Sequence, residues 1–92
     1  MNNEAKILYT QALEKWGFEP QLNQLQEECA ELIVACNKLR RKGDEARPLM
    51  IDELADVVIM TQQIIYAMRV ETEVDERIDF KLNRIRERLG KH

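Results

Sequence analysis

The chain has 92 residues, of which 45% are hydrophobic, 34% are charged and 5% are aromatic, and its net charge is −3. This length predicts a single domain spanning residues 1–92, because each half of a two-domain chain would be too small to fold alone. Three Gly and two Pro are too few for a turn-rich β-sandwich, so the composition favours helices. The acidic balance lacks the basic field that would bind a nucleic acid polymer.

Four helices are predicted in chain order, separated by short breaks at Gly17, Gly43 and Glu71. Short connections between long helices are typical of an antiparallel bundle. We predict helices from Asn3 to Lys15, from Gln21 to Lys42, from Pro48 to Val70 and from Thr72 to Leu89.

The apolar residues of these helices follow helical spacing and predict the packed faces. The stripe on the second helix consists of Leu22, Leu25, Cys29, Leu32, Cys36 and Leu39, and the stripe on the third consists of Ile51, Leu54, Val58, Ile65 and Met68. Ile59, Met60 and Tyr66 lie on other sides of the third helix, which is therefore apolar over most of its circumference. We predict an all-α fold, a four-helix antiparallel bundle completed by oligomerisation into a homodimer or homotetramer.

The cellular location of the protein is predicted from the hydrophobic runs of the sequence and from its two cysteines. No apolar run approaches the ~20 residues of a membrane span, and no signal-peptide core precedes the first helix. Cys29 and Cys36 are about 10 Å apart along one predicted helix, too far for a disulfide, so we expect two thiols in the core. A cytoplasmic protein with no membrane partner is expected.

Two pairs of acidic residues border the predicted packing seam. Glu28 and Glu31 on the second helix are i, i+3 neighbours, as are Glu53 and Asp56 on the third. Glu28 lies about 70° from the centre of its helix's apolar stripe, and Glu53 has a similar offset. Packing the two helices antiparallel would bring the four carboxylates together at the rim of the core.

Converging carboxylates repel one another unless a counter-charge is present. An all-oxygen set suits Mg²⁺, with Mn²⁺ as an alternative, rather than Zn²⁺. The only histidine is His92 at the end of the sequence, which argues against di-iron bundles with a Glu-x-x-His motif on two helices.

The order and spacing of these acids resemble a known signature. Glu27-Glu28-x-x-Glu31, then 21 residues, then Glu53-x-x-Asp56 resembles the EExxE…ExxD motif of the MazG-like all-α nucleoside triphosphate pyrophosphohydrolases. The surrounding segments EECAEL and DELADVVIM are similar to that family as well, and the resemblance covers nearly the whole chain.

The resemblance implies a function and a set of roles. It implies hydrolysis of a nucleoside or deoxynucleoside triphosphate between the α- and β-phosphates, which releases a monophosphate and pyrophosphate. The implied Mg²⁺ ligands are Glu28, Glu31, Glu53 and Asp56. Glu27, which points further from the seam, is expected to support these ligands or to act as the general base.

A basic stripe on the fourth helix supplies candidate phosphate contacts: Arg77, Lys81, Arg84 and Arg88. Lys81-Leu82-Asn83-Arg84 resembles the K-L-x-R segment that contacts phosphates in MazG proteins, so Lys81 and Arg84 are also candidate catalytic residues. Lys38, two turns beyond Glu31, is a further phosphate candidate, and Trp16 and Phe18 are candidates for stacking on the base. Each of these residues also has an ordinary structural interpretation, as a solvated charge or a core aromatic.

Two alternative functions stay open at this point. Phosphoribosyl-ATP pyrophosphohydrolase of histidine biosynthesis has a similar length and acid pattern, but the lysine and glycine that usually precede its acid pair are replaced here by Leu25-Gln26. A non-enzymatic helical interaction module, whose acids are merely solvated, is the other alternative. The base and the sugar of the substrate are not indicated by the sequence.

Overall fold

The computed structural model describes residues 1–90 and contains no β-strand within them. It consists of α1 (Asn3–Trp16), α2 (Phe18–Lys42), a 3₁₀ helix (Gly43–Ala46), α3 (Arg47–Met68) and α4 (Glu71–Gly90). The all-α prediction is confirmed. His92, which entered the argument against a di-iron site, lies outside the described residues.

The helix boundaries have local causes. The Asn2 side chain caps α1 by accepting a hydrogen bond of 2.8 Å from the backbone N–H of Ala5. Gly17, with a φ of 84°, makes a break of a single residue, so α2 begins at Phe18 and not at Gln21 as predicted. Arg69 adopts a left-handed conformation with a φ of 57° and ends α3 at Met68.

Helices α2 and α3 form the main packing unit and run antiparallel. Side-chain contacts between them pair Gln21 with Gln63, Glu28 with Asp56 and Glu31 with Glu53. As the residue number rises on α2 it falls on α3, which is the register of an antiparallel pair.

Helix α1 packs across the second half of α3 through polar contacts as well as apolar ones. The Tyr9 hydroxyl donates to Gln62 Oε1 at 2.8 Å, and the Thr10 hydroxyl lies 3.1 Å from the Tyr66 hydroxyl. The rings of Tyr9 and Tyr66 are tilted against each other with centroids 6.3 Å apart.

The predicted packing face of α3 is wrong. Met60 and Ile64 are the buried residues of this helix, whereas Ile51, Leu54, Val58 and Met68 of the predicted stripe are exposed. Met60 is buried and Tyr66 is half-buried within one chain, so these two do not need a second subunit to cover them. The reason is that α3 is apolar almost all round, and its pattern therefore does not select the face that meets α2.

The packing face of α2 agrees with most of the predicted stripe, whose half-buried members are Leu22, Leu25, Leu32, Cys36 and Leu39. Its most buried residues are Gln21 and Ala35, and Glu28 lies midway between them at a spacing of seven. Cys29, predicted in the core, is exposed, and Cys36 is half-buried. The face of α2 that meets its neighbours thus extends from the predicted stripe to Gln21 and Ala35, and Glu28 is half-buried at its edge.

Helix α4 does not close a four-helix bundle within one chain. It contacts the end of α3, and none of its residues, from Glu71 to Gly90, is buried. Ile78, Leu82, Ile85 and Leu89 are each about half exposed or more. The single chain therefore packs three helices and extends the fourth. Of the helices within residues 1–90, none combines the length and the apolarity that crossing a membrane requires.

Candidate metal centre and adjoining pocket

Three carboxylates converge between α2 and α3. One carboxylate oxygen from each of Glu28, Glu53 and Asp56 lies within 4.8 Å of the others. Glu28 comes from the middle of α2, and Glu53 and Asp56 share one side of α3 because they are three residues apart. The predicted convergence of these three side chains is therefore present in the fold.

Two oxygens in this cluster are buried without a partner. The Oε2 atoms of Glu28 and Glu53 have no hydrogen-bond donor within the described part of the chain. A buried carboxylate oxygen without a donor is costly in free energy, and the cost persists unless a cation or a proton is supplied.

The electrostatics of the cluster follow from this crowding. The pKa of Glu28 is raised: a hydrogen bond from Gln24 lowers it, but burial and the neighbouring carboxylates of Asp56 and Glu31 together raise it by more. Burial raises the pKa of Glu53, and Glu31, Asp56 and Glu28 raise it further. Within residues 1–90, the charged groups that act on these two pKa values are all acidic. The cluster therefore favours uptake of positive charge.

The two other acids of the motif differ in position. Glu31 is exposed but adjoins the cluster, because its negative charge lies close enough to Glu28 and Glu53 to raise the pKa of both groups. Glu27 is exposed and is not among the three carboxylates that converge. The four predicted metal ligands are thus neighbours, and Glu27 lies outside them.

The donor set is suitable for a hard divalent cation. Oxygens bound to one Mg²⁺ at about 2.1 Å can be at most about 4.2 Å apart. One oxygen from each of the three carboxylates lies within 4.8 Å of the others, which is close to this limit. The residues that would hold such an ion are Glu28, Glu53 and Asp56, with Glu31 at the exposed side.

A pocket of about 380 Å³ lies about one helical turn from the carboxylates, none of which is part of its lining. Its lining residues are Trp16, Pro20, Gln21, Gln24, Met60 and Gln63. It lies beside the cluster because Met60 follows Asp56 by one turn and Gln24 precedes Glu28 by one turn. Trp16, a predicted base contact, therefore lies at this pocket, whereas Phe18 is half-buried and is not part of its lining.

Glutamine side chains are the part of this region that sequence reasoning missed. Gln24 Nε2 donates to Glu28 Oε1 at 2.7 Å, and Gln63 Nε2 donates to Gln21 Oε1 at 2.9 Å. Gln21 is itself fixed by donating to the backbone carbonyl of Gly17 at 3.2 Å. A signal was present in the sequence: Gln21 and Gln24 precede Glu28 by seven and four residues, which places all three on one side of α2.

The predicted basic contacts are not brought to the carboxylates by a single chain. Lys81, Arg84 and Arg88 line a shallow depression of about 230 Å³ on α4 together with Ile85, and α4 does not pack against α2. Arg77 lies over the ring of Phe80 at 4.6 Å. Lys38 is half-buried on α2, about 10 Å beyond Glu31 along the helix axis.

Another depression, of about 620 Å³, lies between α1 and α3. Leu8, Trp16 and Ile59 contribute to its lining, and none of the converging carboxylates does. It is an apolar groove on the side of α3 that carries exposed hydrophobic residues.

The chain matches no protein-family model, no curated protein and no solved structure.

Proposed function

We propose that this chain is a Mg²⁺-dependent nucleoside triphosphate pyrophosphohydrolase, which cleaves its substrate to a nucleoside monophosphate and pyrophosphate. The observation that carries the proposal is the convergence of Glu28, Glu53 and Asp56 with two buried oxygens that lack a partner. A helical interaction module would gain nothing from this arrangement, which costs stability in the absence of a cation.

Each group of residues at the proposed site has its own role. Glu28, Glu31, Glu53 and Asp56 would hold the cation, which when bound neutralises phosphate charge and makes water a better nucleophile. The indole of Trp16 offers a flat apolar surface for the base at the adjoining pocket. Glu27 is exposed and keeps its proposed role as a supporting group or general base. It would act on the site through a water molecule.

The basic residues of α4 require a second copy of the chain in this proposal. Lys81 and Arg84 would meet the phosphates only if α4 packs against another protomer, because one chain leaves α4 extended. The exposed stripe of Ile78, Leu82, Ile85 and Leu89 would then be buried, and four helices would surround each carboxylate cluster. Packing of α4 against another protomer would complete a MazG-type bundle in a homodimer or homotetramer.

The decisive experiment identifies the first products. The protein is incubated with Mg²⁺ and a panel of nucleoside and deoxynucleoside triphosphates in water enriched in the heavy oxygen isotope. We expect monophosphate and pyrophosphate, with the heavy oxygen in the monophosphate, because water attacks the α-phosphorus. A nucleoside diphosphate as first product, or no turnover of any substrate, would contradict the proposal.

Phosphoribosyl-ATP is included in the same panel. Exclusive turnover of that compound would favour the histidine-biosynthesis alternative. Absence of all turnover, with Mg²⁺ lacking any effect on thermal unfolding, would favour an interaction module.

A further inference from the structure

Gln24 contacts two features at once. Its Nε2 donates to Oε1 of Glu28 at 2.7 Å, which leaves the other oxygen of Glu28, Oε2, buried and available among the carboxylates. The same side chain lines the pocket that contains Trp16. Gln24 therefore lies between the metal-binding carboxylates and the pocket.

The chemistry of an amide allows both contacts at the same time. A glutamine side chain has two N–H groups and a carbonyl oxygen. One N–H is used by Glu28, which leaves the second N–H and the carbonyl oxygen for a molecule in the pocket. Gln24 is exposed, so ordering its side chain costs rotamer entropy. Once one of the two contacts has ordered the side chain, the other contact forms without a further loss of that entropy.

The pocket has properties that a nucleobase requires. Its volume of about 380 Å³ lies within the range of small-molecule sites. Trp16 provides an aromatic surface, and the amide of Gln63 is held in place by Gln21 at 2.9 Å. An apolar surface combined with fixed amides suits a flat heterocycle with polar edges better than it suits an aliphatic group.

We propose that Gln24 is a positioning residue that couples occupation of the Trp16 pocket by a nucleobase to cation binding at Glu28. The inference rests on the proposed function, since it assumes that the carboxylates bind a cation. The coupling is positive, because a base that holds the Gln24 amide also holds the Glu28 carboxylate in its binding orientation. By linkage, the cation must strengthen base binding by the same factor.

The test uses free nucleosides, which carry no phosphate and so cannot reach the cation through one. Trp16 is the only tryptophan in the chain, and its fluorescence reports directly on the pocket. Adenosine, cytidine, guanosine and uridine are titrated with and without Mg²⁺. We expect Mg²⁺ to lower the dissociation constant of at least one nucleoside by about fivefold or more.

Matched variants separate the coupling from other effects of the ion. Gln24→Met keeps the length of the side chain but removes its polar groups, so it should bind the nucleoside more weakly than the unaltered protein and with the same dissociation constant in the presence and absence of Mg²⁺. Gln26→Met, an exposed position on the same helix, should behave like the unaltered protein. Asp56→Asn should also lose the Mg²⁺ effect, through loss of the ion.

The outcomes distinguish this inference from the function on which it rests. If Mg²⁺ raises the melting temperature but leaves nucleoside binding unchanged or weaker, the coupling is wrong and the metal site stands. An unaltered Mg²⁺ effect in Gln24→Met, or no fluorescence response to any nucleoside at millimolar concentration, also overturns it. If Mg²⁺ does not affect thermal unfolding at all, the proposed function fails and the coupling fails with it.

Discussion

Glu28 is a charged residue at a position where a helix pair normally places an apolar one. It lies between Gln21 and Ala35 at heptad spacing, and both of those residues are buried. Its Oε2 is buried with no donor among the described residues. A carboxylate at such a position lowers stability in the absence of a counter-charge, and the proposed function assigns that counter-charge to a bound cation.

The clearest single-residue prediction concerns Asp56. Asp56→Ala should lower turnover by at least about a hundredfold, because the cation would lose one of its ligands and even the outer-shell partners of a metal are worth about 10- to 100-fold. The metal-free variant should unfold at the same temperature as the unaltered protein or higher, because one repelling carboxylate is gone. Mg²⁺ should raise the melting temperature of the unaltered protein by mass action and leave the variant unchanged.

Thermal unfolding with and without Mg²⁺, combined with a pyrophosphate-release assay, measures both effects. Full activity of Asp56→Ala, or its failure to fold, would contradict the assignment of Asp56 as a ligand.

The raised pKa values of Glu28 and Glu53 predict how stability depends on pH. A raised carboxyl pKa means that the folded protein holds protons that the unfolded chain releases above the ordinary value of 4.5. Metal-free protein should therefore lose stability as pH rises from that value through the raised pKa. Saturating Mg²⁺ should reverse the slope, because the ion binds the ionised carboxylates.

Melting temperatures measured across this pH range test whether the stability of the metal-free protein falls as the pH rises. The double variant Glu28→Gln, Glu53→Gln serves as the control and should show a flatter metal-free profile. The prediction would be contradicted if the metal-free protein became more stable relative to the double variant as the pH rises.

At the scale of the helix, α4 combines exposed apolar and basic residues on one side. We expect Lys81→Ala to lower turnover by between several-fold and about a thousandfold, because a positive charge no longer meets the phosphates. Its melting temperature should change little, since Lys81 is exposed.

Arg86→Ala is the matched control for this experiment. Arg86 lies on the same helix but away from the basic stripe, where it donates to Asn83 at 2.6 Å. Equal effects of the two substitutions on turnover would mean that only the net charge of α4 matters, and the proposed role of Lys81 would be wrong.

At the scale of the whole molecule, the single chain is too open for its size. Its radius of gyration is 16.2 Å, compared with about 12 Å for a compact chain of this length. Its accessible surface is 7327 Å², compared with about 5,600 Å² for a folded monomer of this mass. The excess of roughly 1,700 Å² per chain is about twice the ~800 Å² that each partner buries in a standard protein–protein interface.

We therefore predict self-association through α4. Light scattering should give at least twice the chain mass of 10.9 kDa at micromolar concentration.

Leu82→Glu should shift the protein towards monomer and reduce activity, because it places a charge in the apolar stripe. Asn83→Glu adds the same charge on the other side of the helix and should leave the assembly intact. A stable monomer in the unaltered protein would contradict the prediction and leave the apolar face of α4 without a partner.

Much of this protein could be predicted from the sequence because the relevant signals are local. The helix breaks follow from Gly17 and Gly43, whose φ values are positive, and the all-α class follows from the composition. The grouping of Glu28, Glu53 and Asp56 was also predictable. Spacing of three residues fixes which side chains share a side of a helix, and a short connection forces two helices to pack antiparallel.

Which faces meet was decided only by tertiary packing. Because α3 is apolar on nearly every side, the sequence pattern could not select the Met60 side over the Ile51 side. Helix α1 covers part of α3 as well, because its Tyr9 and Thr10 contact Gln62 and Tyr66. In the resulting arrangement Glu28, Glu53 and Asp56 converge, and Gln24 lies at the pocket. Hydrophobic burial is non-directional and depends on which surfaces are available, so these outcomes required the whole chain.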